Sequence, residues 1–220
     1  MKAPTCLAQR NNFIRHWLGL GTTGIACLLL SSCSVLRPDL SPHPIFYSLD
    51  SAQSAPLKAP PTVPANAPTL VVSTPLAAAG FDSPRIIYLR QPHQLEYFAH
   101  SEWIDTPARM LAPLVITALE NSGAFRAVAH APGPASGDLR LDTEVWQLQQ
   151  EFGAGPSHVR FVLRAYLVEE PSRRVIATRQ FEAVVSAPTE DTYGGVIAAN
   201  EAVHTVLENL AAFCAEAVSK

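Results

Sequence analysis

The sequence predicts an α+β-like α/β chain: a mixed, largely antiparallel sheet with a crossover helix and a long C-terminal helix packed on it. Three observations carry this. Three segments between residues 139 and 185 alternate apolar and polar residues and are joined by short turns, the pattern of an antiparallel meander with one buried face. A stretch after Thr106 repeats apolar residues every three or four positions, one stripe of a helix. The last 30 residues do the same over a greater length.

Taken in order, Pro44-Ile45-Phe46-Tyr47-Ser48-Leu49 is short and apolar and reads as an edge strand docking back on the domain. Residues 51–68 hold five prolines and no aromatic residue. Such a stretch favours extended conformations, and reads as a spacer reaching about 50 Å at full extension. Thr69 to Thr74 reads as a strand ended by Pro75. Arg85 to Arg90 is a second strand, Gln91-Pro92-His93 a turn, and Gln94 to Ala99 the returning strand.

Thr106 then suits a helix cap and Pro107 the first helical position. Leu111, Leu114, Val115, Ala118 and Leu119 make the apolar stripe, and Pro113 predicts a kink or a later start. Gly123 sits where a left-handed cap is wanted, and Phe125 to Ala129 reads as a short strand. A crossover through the helix makes the 69–74 and 125–129 strands parallel neighbours.

The meander follows. Leu139, Leu141, Thr143 and Val145 point one way, and Arg140, Asp142 and Glu144 the other. Val159 to Leu167 and Phe181 to Val185 repeat the pattern, across joins at 153–156 and 170–173. Asp191 caps the final helix, whose apolar face is Val196, Val203, Leu207, Leu210, Cys214 and Ala217.

The N-terminus reads differently. Lys2, Arg10 and Arg15 precede an uncharged stretch from Leu18 to Leu30, and residues 1–32 contain no Asp or Glu. That stretch has the length of a signal-peptide core and falls short of the ~20 residues a spanning helix needs. Leu30-Ser31-Ser32-Cys33 matches a lipobox, the Leu, two small residues and modified Cys of a bacterial lipoprotein signal. Cys27 is a competitor, but Gly24 stands where Leu is wanted. The expected organisation is a cleaved leader at 1–32, a lipid anchor, edge strand and spacer at 33–68, and one domain at 69–220. Cys33 is the lipidation site, and Ser34 after it favours the outer membrane by the sorting rule of enterobacterial lipoproteins.

Loss of the leader leaves 13 basic against 19 acidic residues, a formal charge of −6. That excludes nucleic acid as the natural partner and electrostatic docking on anionic lipid. Cys6 and Cys27 leave with it, Cys33 is acylated, and Cys214 stands alone as a small buried hydrophobe. No intramolecular disulfide remains.

The sequence has no Gly-x-Ser-x-Gly elbow, phosphate-binding glycine loop or His-Glu-x-x-His pair. His43, His93, His100, His130, His158 and His204 are scattered without ligand spacing. The expectation is no catalytic residue, no metal and no cofactor. Asp138, Asp142 and Glu144 with Arg140 read as the wet face of a strand, and Glu169-Glu170 with Arg173-Arg174 as a charged hairpin tip. Tyr88, Tyr97, Phe98 and Trp103 divide between core packing and contact with a partner or lipid tail, because Tyr and Trp are enriched at interfaces.

The block Arg85-Ile86-Ile87-Tyr88-Leu89-Arg90, then Leu95-Glu96-Tyr97-Phe98, Trp103, Pro107, Leu111, Leu119 and Gly123-Ala124-Phe125 resembles the ABC-type transport auxiliary lipoproteins, the PqiC-like family. The later strands and the C-terminal helix match by layout. The resemblance implies a non-enzymatic part of an envelope transport system. Its expected partners are an MCE-domain protein with its permease and ATPase, and the membrane through acyl chains. The cargo implied is phospholipid or another hydrophobic molecule, and the expected site is the outer membrane facing the periplasm. A homo-oligomeric ring fits by analogy with the family. The alternative is a structural or assembly lipoprotein that handles no cargo.

Overall fold

The computed structural model describes residues 43–50, 63–133 and 136–219. Nine strands and two helices run in the order β1 (Ile45–Tyr47), β2 (Thr69–Ser73), β3 (Leu76–Ala77), β4 (Arg85–Leu89), β5 (Leu95–Trp103), α1 (Pro107–Asn121), β6 (Ala127–Ala131), β7 (Leu139–Glu151), β8 (His158–Glu169), β9 (Arg174–Ser186) and α2 (Thr192–Val218). The predicted fold class is the observed one.

The long strand β7 organises the sheet. Along one edge it pairs antiparallel with β8 from Leu139↔Glu169 to Glu151↔His158, and β8 pairs likewise with β9. Its other edge is shared by three shorter strands, all parallel to it: β2 at Leu139–Leu141, β3 at Glu144–Val145 and β4 at Gln149–Glu151. β6 lies parallel to β2, as a crossover through α1 requires. β5 returns antiparallel to β4, and β1 closes that side parallel to β5.

Alternation places Leu141, Val145, Phe161, Leu163, Ala165, Leu167 and Phe181 on one face. They join Leu111, Val115 and Leu119 of α1 and Val203, Leu207 and Leu210 of α2 in one apolar cluster. Both helices thus cover the same face. Each fully buried large side chain contributes about 1.5–3 kcal/mol by burial. A bulge between Val145 and Gln147 shifts the phase of β7. Without it Leu148 would point to the wet side; with it Leu148 and Gln150 face the helices, both buried.

Helix ends follow local chemistry. Asp191 caps α2 through Oδ1, which accepts from the Gly194 N–H at 2.8 Å. Thr106 is the α1 N-cap by backbone conformation only, without a side-chain cap bond. Instead, Asp105 Oδ1 accepts from the Thr106 N–H at 2.7 Å. Pro113 sits inside a continuous α1. It is exposed, so the carbonyl four residues back can be met by water rather than left bare in the core. Gly123 has φ 66°, the left-handed turn that stops α1.

Several boundaries differ from the sequence reading; β9, for one, begins at Arg174, well before Phe181. β6 starts two residues late, because Phe125 is buried as an apolar plug and the ladder begins with the Arg126 N–H donating to the Pro68 carbonyl. β5 continues past Ala99 to Trp103, since a register shift against β4 re-phases the strand so that Ser101 and Trp103 turn inward, and β1 pairs with that extension. The two-residue β3 has no sequence signature at all.

Candidate partner-contact surface

Cys33 and residues 51–62 lie outside the described residues. The residues on both sides of 51–62 are described. β1 is held by the Ile104 N–H, which donates to the Tyr47 carbonyl at 2.7 Å. Asn200 of α2 adds two bonds: Nδ2 donates to the Ser48 carbonyl at 3.3 Å, and Oδ1 accepts from the Asp50 N–H at 2.8 Å. Leu49 is buried. On the far side of residues 51–62, Ala67 is buried and Thr69 enters β2. The proline-rich stretch therefore joins two segments seated on one domain. Ten residues separate Cys33 from His43, a reach of at most ~36 Å.

The aromatic set splits by exposure. Trp103 is 3% exposed and belongs to the core. Tyr88 is buried, its ring 4.5 Å from Phe98 and 5.7 Å from Phe152 between centroids. Its hydroxyl donates to Glu96 Oε2 at 2.9 Å. That bond first, then burial, raises the Tyr88 pKa above its ordinary value. Phe98 is half-buried against the core. Tyr97 is the exposed member, at 52%, with the Arg85 guanidinium 4.1 Å above its ring centroid. Of the four, Tyr97 presents the largest contact area.

The polar side of β7 to β9, legible in the sequence only as a wet face, is organised, and neither helix covers it. Arg164 stands over two rings, 5.0 Å from Trp146 and 5.3 Å from Tyr166. Trp146 donates through Nε1 to Glu144 Oε2 at 2.8 Å. Nearby, Arg160 Nε donates to Glu151 Oε1 at 2.9 Å and Nη1 to Glu182, while His158 Nε2 lies 3.0 Å from Glu151 Oε2. Partial burial pushes the Glu151 carboxyl up, but the bonds from Arg160, Gln149 and His158 outweigh it and hold the pKa below the usual value. Further along, Arg140 pairs with Asp142 and Glu170, both at 3.1 Å. The cross-strand register Glu144↔Arg164 and Gln149↔Arg160 builds these groups. The bulge at Trp146 was the part a plain alternation could not supply.

Under the N-terminus of α2, the buried Gln150 Nε2 donates to Ser157 Oγ at 2.9 Å and to the Asp191 carbonyl at 3.3 Å. The cavity beside it, between Ile86, Trp103, Leu148 and Ala199, holds about 10 Å³. That suits one water and cannot admit an acyl chain. Cys214 is buried, and desolvation pushes its thiol up to about 12. Among the described residues no group of three His, Cys, Asp or Glu could hold a metal ion. No described helix is long and apolar enough to cross a membrane.

Comparison with known proteins fits this architecture. A family model described as ABC-type transport auxiliary lipoprotein component matches residues 47–211. A crystal structure of a Xanthomonas campestris protein assigned to the family DUF330 superposes with TM-score 0.68 at 26% identity, covering 79% of this chain and 95% of that one. An uncharacterized protein superposes with TM-score 0.60 at 13% identity, over 78% of this chain and 99% of its own, a likeness of fold alone. The PelC dodecamer from Paraburkholderia phytofirmans is more distant, with TM-score 0.42 at 14% identity over 70% of this chain and 94% of that one. No curated protein sequence matches.

Proposed function

This chain belongs to the ABC-type transport auxiliary lipoprotein family, and from that membership we propose that it is the docking component of an MCE-type ABC system moving phospholipid or another hydrophobic molecule across the periplasm. Cys33 carries the acyl chains, and the protein sits on the periplasmic side of the outer membrane. A single acyl chain binds a membrane only marginally, so a multiply acylated cysteine is what makes such an anchor lasting. The observation that carries this reading is the family match, which runs from β1 into α2.

Two features favour docking over carriage. The cavity under α2 is far too small for a lipid tail, and the two larger grooves, about 510 and 530 Å³, are open and carry charged side chains such as Arg160, Glu182, Arg140 and Asp142. The uncovered sheet face, with Tyr97 and the Trp146–Arg164–Tyr166 stack, offers aromatic groups and arginine, the residue types that dominate protein interfaces. The energy source and the translocation path belong to the partners, and this chain acts by binding.

The test is cross-linking in the intact envelope, with photo-reactive groups at Tyr97 and Trp146. Recovery of an MCE-domain protein is the expected result. Recovery of envelope proteins without any MCE, permease or ATPase component would sink the reading in favour of a structural lipoprotein.

A further inference from the structure

We propose that an apolar patch wrapped around β1 rests on the lipid surface to which Cys33 tethers the chain. The patch is Ile45, Phe46, Ile104, Tyr193 and Ile197, all between 42% and 63% exposed. Several contacts make it one surface. Tyr47 of β1 meets Tyr193 with ring centroids 6.4 Å apart. Tyr193 and Ile197 are one turn apart on α2. Ile104 bonds directly to β1 through its N–H. Ile45 and Phe46 point to opposite sides of the strand, so apolar side chains flank the outer edge from both faces.

The choice of occupant rests on where the chain leads. β1 is the first described strand, and the step from Cys33 to His43 spans at most ~36 Å. The patch is therefore the part of the domain nearest Cys33 along the chain. None of the five residues is charged, and the chain as a whole is acidic. Attraction to anionic headgroups does not drive the contact. It is apolar, with Phe46 and Tyr193 suited to the depth where aromatic rings collect at a membrane surface. The unpaired backbone of the β1 edge stays hydrated at headgroup level, so the contact is shallow. The sheet extends from there through β5, β4, β7 and β8 to β9, leaving the far strands for a partner.

This inference rests on acylation of Cys33. Flotation of the full-length lipoprotein with phosphatidylcholine vesicles, together with the mass of its N-terminal peptide, reads that premise separately. The contact itself is read with a polarity-sensitive dye at Phe46→Cys, Ile104→Cys or Ile197→Cys. Val184→Cys on β9 is an equally exposed control. Cys214 needs no replacement, because it is buried and its thiol stays protonated.

The expected result is a blue shift on reconstitution at the three patch positions, with quenching by lipids brominated high on the acyl chain and no change at Val184→Cys. Three separate positions guard against the failure of any one variant to fold. Flotation with all four dyes reporting water overturns this inference alone. Failure to float overturns the lipidation reading and this inference together. A shift in detergent that grows with protein concentration and resists lipid quenching assigns the patch to a second copy of the chain, and overturns the inference too.

Discussion

Asn200 clamps the backbone on both sides of Leu49: one end of its amide donates to the Ser48 carbonyl at 3.3 Å and the other accepts from the Asp50 N–H at 2.8 Å. Its Nδ2 also donates to the Val196 carbonyl at 3.0 Å, which fixes the amide against its own helix. One side chain thus ties the segment that follows β1 to α2. Asn200→Ala is expected to cost about 1–2 kcal/mol, the value of two net hydrogen bonds at a partly hydrated site. Amide exchange should become fast at residues 45–50 while the β7–β9 amides stay protected. Unchanged exchange at 45–50 would mean that β5 pairing alone holds β1.

The glycine pair at the start of α2 makes a sharper stability test. A Cβ on Gly194 would lie 2.3 Å from the Thr189 carbonyl oxygen and 2.7 Å from its nitrogen. Backbone cannot swing aside as a flexible side-chain end can. Gly194→Ala is therefore destabilising despite alanine's higher helix propensity, by about 1–3 kcal/mol in urea titration. Gly153→Ala is the control, because nothing lies within 4 Å of its Cβ. It should stay within about 0.5 kcal/mol of the parent.

The acid limb of stability should depend on Glu151. Its folded pKa is held below the usual value, so in the interval between the two the unfolded chain binds the extra proton. The stabilisation is present above the ordinary carboxylate range and is lost as pH falls through the folded value. Glu151→Gln should flatten the fall in Tm in that window and cost on the order of 1 kcal/mol at neutral pH, a modest figure because the site is partly solvated. An identical acid limb in the variant would place the effect on other carboxylates.

Cys214 should report on the alkaline side. Its thiol is pushed up to about 12 from an ordinary value of 9.0. As pH rises past 9 the unfolded thiol ionises while the folded one does not, so stability falls across that interval. Cys214→Ala should remove this part of the alkaline loss. Iodoacetamide should leave the native thiol untouched at pH 8 and alkylate it in urea, and rapid native alkylation would contradict its burial.

How much of this was readable from the chain depends on the range of the interaction. The alternation in β7 to β9 and the apolar stripe of α2 are local patterns, and the structure keeps them. Asp191 reads as a cap from its position and acts as one. The C-terminal part of β5 is not legible because His100, Ser101 and Glu102 look like a loop until Trp103 is known to face the core. The Arg164 stack needs a cross-strand register and a bulge, and neither is encoded within one strand. The aromatic block was found by composition, but only the fold could separate the core Trp103 from the exposed Tyr97. The proline stretch is a similar case: its composition gives stiffness, and only the seating of Leu49 and Ala67 shows what it connects.

That seating yields a prediction about reach. With Cys33 acylated as proposed, the greatest distance of the domain from the membrane depends on the residues between Cys33 and His43, whereas residues 51–62 connect two docked segments. Inserting fifteen Gly/Ser residues into the first stretch lengthens the leash and dilutes the domain away from the surface. The same insertion in the second only enlarges a loop, where each doubling of length costs about 0.6 kcal/mol. Energy transfer from a dye at Val184→Cys to a lipid-borne acceptor measures the height directly in vesicles carrying the acylated protein. Transfer should fall with the first insertion and hold with the second. Equal losses from both would mean that β1 leaves the sheet when the chain is anchored, returning the proline stretch to the role of spacer.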